Sequence, residues 1–191
     1  MSRRSISFMS FLAIALSSLA TFAQRPSANS TDLLLESGNA AKISTPAGAS
    51  TEIKIVSYNI RWRSAKELEQ IIDWLRSKET PSTIVGLQEV DRAKQRTGKT
   101  NNARVLAESL GMYYVWAAPP LPKDGKEEEE ETGVELLSPY PLTDITRIVL
   151  PHEGPGGRWR VALGATVKIG KTALTVSDHF PTWTVVSLEN R

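Results

Sequence analysis

Two short apolar runs do most to restrict what this chain can fold into. Residues 53–60 read IKIVSYNI and residues 84–92 read IVGLQEVDR. Each is largely β-branched or aliphatic and closes on a polar side chain, Asn59 in the first and Glu89 in the second. Runs of this kind, bounded by turn or helix signals, are predicted as buried strands. Between them, Leu68, Ile71, Ile72 and Leu75 recur at helical spacing, Ser64 and Glu67 form an S-x-x-E start signal, and Pro81 follows the end. The spacing predicts a helix over 64–78, and a crossover of that length lets the two strands share one sheet. A buried amide or carboxylate is costly unless it has a partner. Either the local backbone satisfies Asn59 and Glu89, or the two strand ends meet in a site.

Further elements follow. Ala103, Leu106, Ala107 and Leu110 form the stripe of a second helix over 100–110, with Gly111 as its C′ residue. Tyr113–Ala117, Val134–Ser138, Asp144–Leu150, Arg160–Ile169, Thr172–Val176 and Trp183–Leu188 are predicted as strands. The KIGK turn at 168–171 joins two of them as a hairpin. The acids Glu127–Glu131 form a bare run, which suits a solvated loop; calcium capture or a basic partner are the sharper alternatives. Gly154–Gly157 lacks the G-x-x-x-x-G-K-S/T pattern of a phosphate loop and serves as a link, and His152 beside it is a surface residue.

The N-terminus reads as a processing segment. Arg3 and Arg4 precede an apolar stretch, and Thr21 and Ala23 suit cleavage after residue 23. Residues 1–23 are thus expected to be a signal peptide, leaving a secreted or periplasmic protein with no stable membrane anchor. Residues 24–51, rich in Ser, Ala, Asn and Thr, are expected to be a flexible linker or arm, and residues 52–191 the domain. The whole chain has 23 Lys and Arg against 21 Asp and Glu. Cleavage removes two arginines and no acid, so the mature chain is formally neutral and its composition shows no basic face of the kind nucleic-acid binders carry. With no cysteine, an exported domain must rely on its core rather than on disulfides.

Ser57-Tyr58-Asn59 and Gln88-Glu89-Val90, about thirty residues apart, resemble the first two motifs of the endonuclease/exonuclease/phosphatase superfamily of metal-dependent phosphoesterases. GVELLSPYPL at 133–142 resembles that family's GNAILSRYPL strand and turn, with Val134 and Pro139 standing where Asn and Arg are common. Ser177-Asp178-His179 followed by Phe180-Pro181 resembles its terminal motif. The resemblance implies an α/β fold: a two-layered, DNase I-like β-sandwich flanked by helices. It also implies a monomer that hydrolyses phosphodiester or phosphomonoester bonds with Mg2+ (or Mn2+). Its substrate would be a nucleic acid, a lipid headgroup or a small phosphoester. Glu89 would be the main metal ligand and Asn59 would orient a scissile oxygen or a neighbouring carboxylate. Asp178 would be a second or water-mediated ligand, and His179 would contact the phosphate or transfer a proton.

The family's Thr-His-Leu and Gly-Asp-x-Asn motifs are missing, and SDH follows directly on a strand that matches a much earlier one. An internal truncation between about 176 and 177 explains this, leaving the sandwich incomplete and the attacking water without its usual holders. The alternative is a non-catalytic remnant or binding module that uses the acidic loop. If register survives the truncation, the last strand lies beside the first and carries Asp178 and His179 to Asn59.

Overall fold

The computed structural model describes residues 34–40, 42, 53–78, 83–120, 131–151, 159–178 and 187–189. In chain order these form β1 (Leu35–Asn39), β2 (Lys54–Asn59), α1 (Ala65–Lys78), β3 (Thr83–Arg92), α2 (Asn102–Leu110), β4 (Tyr113–Ala117), β5 (Glu131–Ser138), β6 (Leu142–Val149), β7 (Val161–Ile169), β8 (Thr172–Asp178) and β9 (Ser187–Glu189), with a 3-10 turn at Gln95–Thr97. Among the described residues, one sheet has the order β1-β4-β5-β3-β2 and the other β6-β7-β8-β9.

The alternation of strand side chains builds three layers. From the first sheet, Val85, Leu87, Tyr114, Trp116 and Leu137 pack on Leu68, Ile72 and Leu75 of α1 and Leu106 and Leu110 of α2. The opposite faces, Ile84, Val115, Val134 and Leu136, meet Val161, Leu163, Val167, Leu174 and Val176 of the second sheet. The fold is therefore the expected α/β sandwich with helices on one face. The predicted stripe of α1 is the one that is buried. Full burial of such a side chain stabilises by about 1.5–3 kcal/mol. The S-x-x-E signal works differently from expectation: Glu67 takes Arg63 as an exposed i,i+4 partner at 2.9 Å. At the start of α2, Asn101 accepts the Arg104 N–H, and Gly111 closes the helix at φ 66.

Four expectations need correction. The strand ending in Asn59 is not buried: β2 is the edge of its sheet, with Ser57 and Tyr58 exposed. Within the expected linker 24–51, Leu35–Asn39 is a strand paired antiparallel with β4. Leu34 and Leu35 pack on the two cores, and Glu36 is tied down by Arg92 at 3.2 Å and Arg104 at 3.0 Å. Third, β8 runs unbroken through 176–177, pairing Val176 with Ala165, Ser177 with Gly164 and Asp178 with Leu163. The nine-residue β7 offers ladder partners beyond Val176, and bending away there would leave those backbone groups unpaired. Fourth, the terminal strand is Ser187–Glu189, paired with β8 in the second sheet and not placed beside β2. Residues 183–186 of its expected span lie outside the described residues.

Candidate active site

The site begins where β2 and β3 end. They run parallel with Asn59 opposite Gln88. β3 then bulges: Gln88 pairs with Val134 and Val90 with Gly133, leaving Glu89 as the extra residue. Glu89 takes φ +57, the left-handed region that a residue with a Cβ avoids. Such a conformation costs about 1–3 kcal/mol and concentrates at functional positions. The bulge re-aims the carboxylate, because without it Glu89 would follow the two-residue alternation of the strand. Gly133, across from Val90, is there of necessity: a Cβ would lie 2.2 Å from the carbonyl oxygen of Ala117.

The Asn59 side chain closes the gap. Its Oδ1 accepts the Arg61 N–H at 2.9 Å, a local turn that asparagine favours. With the oxygen so used, Nδ2 donates to Glu89 Oε1 at 2.9 Å. Past Asn59 the chain stays bonded to the bulge, Ile60 N–H to the Gln88 carbonyl and Trp62 N–H to the Glu89 carbonyl, both at 3.0 Å. Arg61 and Trp62 are themselves left-handed, at φ 49 and 56. Strand ends, amide and carboxylate are thus held as one unit, with Glu89 half-buried.

A second layer, which the sequence reading missed, surrounds this pair. Asp91 is fully buried and takes both Arg96 Nε at 2.7 Å and Nη2 at 2.8 Å. Thr132 Oγ1 also donates to Asp91, at 2.6 Å. The Arg96 guanidinium lies over the Trp62 ring, 4.5 Å from its centroid. The hydrogen bonds to Asp91, with the charges of Asp91 and Glu89, hold Arg96 above its ordinary pKa against the effect of burial. An acid immediately after the QEV motif, and an aromatic three residues after the end of β2, were the only signals in the sequence.

Under the helices lies another unexpected acid. Glu135 is fully buried in β5, and among the described residues neither carboxyl oxygen has a hydrogen-bond partner. Burial, followed by the charge of Glu36, raises its pKa well above the usual carboxylate range.

No family model matches the chain, and no curated protein matches it. Among solved structures, an endonuclease/exonuclease/phosphatase family protein from Leptotrichia buccalis C-1013-b superposes with a TM-score of 0.50 at 16% identity, covering 67% of this chain and 54% of its own. The fold is the endonuclease/exonuclease/phosphatase fold. An endonuclease/exonuclease/phosphatase from Beutenbergia cavernae DSM 12333 gives a TM-score of 0.47 at 19% identity, over 65% of this chain and 37% of its own. This chain therefore spans about half the length of the first neighbour, 54%, and less of the second.

Of the residues expected at an endonuclease/exonuclease/phosphatase site, Asn59 and Glu89 are in direct contact. The backbone of Asp178 is placed at the end of β8 by its pairing with Leu163. His179 lies outside the described residues. Among the described residues no three His, Cys, Asp or Glu side chains form a metal cluster.

Proposed function

We propose that Glu89 holds a divalent cation, Mg2+ or Mn2+, and that the site receives a phosphoester beside it. The supporting observation is the Asn59–Glu89 hydrogen bond at a left-handed bulge, a costly arrangement that fixes one hard-oxygen ligand at a strand end. The donor set fits a largely hydrated Mg2+, which one or two carboxylates plus waters suffice to bind. When bound, such an ion neutralises charge on the phosphoryl and leaving oxygens. Asn59 holds the Glu89 carboxylate in one orientation, with its amide fixed by the Arg61 N–H. Asp178 would serve as a second or water-mediated ligand, and the His179 imidazole would contact the phosphate or carry a proton near neutral pH.

Turnover should be close to background. The missing Gly-Asp-x-Asn motif takes away the groups that would hold and activate the attacking water, and a general base typically contributes about 10²–10⁴-fold. The reading includes export after cleavage at residue 23 and a chain shortened between 176 and 177. Calorimetric titration of Mg2+ into the 24–191 chain should show weak binding, with hydrolysis of an activated phosphodiester at background. Robust Mg2+-dependent hydrolysis would contradict the impaired mechanism, and absence of any Mg2+ binding would contradict the site. Reading the coding sequence across Val176 and Ser177 tests the truncation separately: restored motifs in an intact frame would identify the parent enzyme.

A further inference from the structure

Beside Glu89 sits a cation that the chain itself supplies. Arg96 uses Nε and one Nη2 hydrogen on Asp91 and donates from Nη2 to Thr132 Oγ1 at 2.8 Å, so the guanidinium plane cannot rotate. Its face rests on Trp62. Among the described residues Nη1 makes no hydrogen bond, and the side chain is 41% exposed. We propose that the free Nη1 edge of Arg96, seated on Trp62, is the group that binds the phosphate of the substrate at this site. The inference extends the reading of Glu89 as cation holder, but anion binding by Arg96 does not depend on it.

Three observations carry this beyond a loop clamp. A clamp between β3 and the following turn is complete with Asp91 and Thr132 and has no use for the Trp62 ring. That ring is 48% exposed, and its backbone is left-handed and bonded to the Glu89 carbonyl, so an aromatic surface is held in a strained turn next to the acid. Second, the paired N–H edge of Arg96 is taken by Asp91, but the two Nη1 hydrogens remain as charge-assisted donors to a phosphate oxygen, and a guanidinium already immobilised loses little side-chain entropy on binding. Third, Arg96 lies 4.5 Å from the centroid of the Trp62 ring, and the Trp62 N–H is bonded to the Glu89 carbonyl at 3.0 Å. An anion on Nη1 therefore lies in the neighbourhood of any cation on Glu89.

The test uses the full-length chain and inorganic phosphate at low salt with EDTA, read by calorimetry and phosphorus NMR, so that no metal enters. Phosphate should bind wild type, and binding should weaken by about tenfold or more when the charged Nη1 donor is removed. Because Arg96→Gln alone strands a buried Asp91, the variant is Asp91→Asn/Arg96→Gln, with circular dichroism reporting the fold. Folded protein that has lost phosphate supports the proposal; wild-type-like binding, or a wild type that binds none, overturns it. Should that pair fail to fold, Arg96→Lys keeps the charge but has one ammonium, which cannot serve both Asp91 and phosphate: weakened phosphate binding supports, and unchanged binding overturns. Glu89→Gln removes a neighbouring negative charge and should leave phosphate binding equal or tighter. A wild type that binds phosphate but no Mg2+ would count against Glu89 and leave Arg96 untouched.

Discussion

At the scale of single residues, strain and burial separate what serves the site from what serves the fold. Glu89 sits where glycine would be relaxed. Glu89→Gly should therefore unfold in urea at equal or higher denaturant, with stability unchanged to about 1 kcal/mol higher, while Mg2+ binding disappears. A marked loss of stability would show that the carboxylate supports the fold instead. Glu135 gives a prediction of opposite character. Below the unfolded carboxyl pKa both states are neutral and burial costs nothing in ionisation. As pH rises above that value, the unfolded chain ionises while the folded Glu135 stays protonated, because its folded pKa is raised. Stability should fall with rising pH by up to about 1.4 kcal/mol per unit until the folded group titrates. Glu36 works in the other direction: burial pushes its carboxyl up, but hydrogen bonds from Tyr114, Arg104, Arg92 and Asn101 outweigh that and hold it low, so its contribution is lost in acid. Melting curves between pH 5 and 9 should be flatter for Glu135→Gln than for wild type; identical slopes would place the titration elsewhere. Asn59 and Glu89 were legible in the sequence because each ends an apolar run. Arg96 and Trp62 were not, since they meet across a turn that no periodicity encodes.

At the scale of elements, periodicity read well and position within the sheet read poorly. The stripe of α1 predicted its buried face, and Leu75→Ala there should cost about 2–5 kcal/mol in chemical denaturation, since Leu75 is 1% exposed. An apolar run, however, does not say whether a strand is central or at an edge. β3 has neighbours on both sides and β2 on one, although both sequences are β-branched. The continuity of β8 was equally hidden, because the pairing of Ser177 and Asp178 depends on the length of β7 and not on their own residue types. The bulge left a single trace in the sequence, Gly133. Gly133→Ala drives a Cβ into the Ala117 carbonyl and should shift β5 against β4. A melting temperature lower by several degrees, together with weakened Mg2+ binding, is expected; a variant that melts and binds like wild type would show that the ladder relaxes freely around the bulge.

At the scale of the molecule, one sheet is sandwiched between two helices and a second sheet, and the candidate site occupies the end of that shared sheet where β2 and β3 stop. The sandwich class was legible through the resemblance carried by the SYN and QEV motifs, and the strand–helix–strand unit between them agrees with it. The assignment of the last strand was not, because a resemblance by motif carries no information about register once the chain between motifs is short. The chain covers 54% of the length of its structural neighbour and places a carboxylate and a hydrogen-bonded amide side by side at the strand ends. The direct measurement is calorimetric titration of Mg2+ into the 24–191 chain and into Glu89→Gln, which keeps an acceptor for Asn59 but removes the charge. Weak, saturable binding to the first and none to the second, with equal melting temperatures, is the expected result. Equal binding to both, or to neither, would contradict a metal site at Glu89.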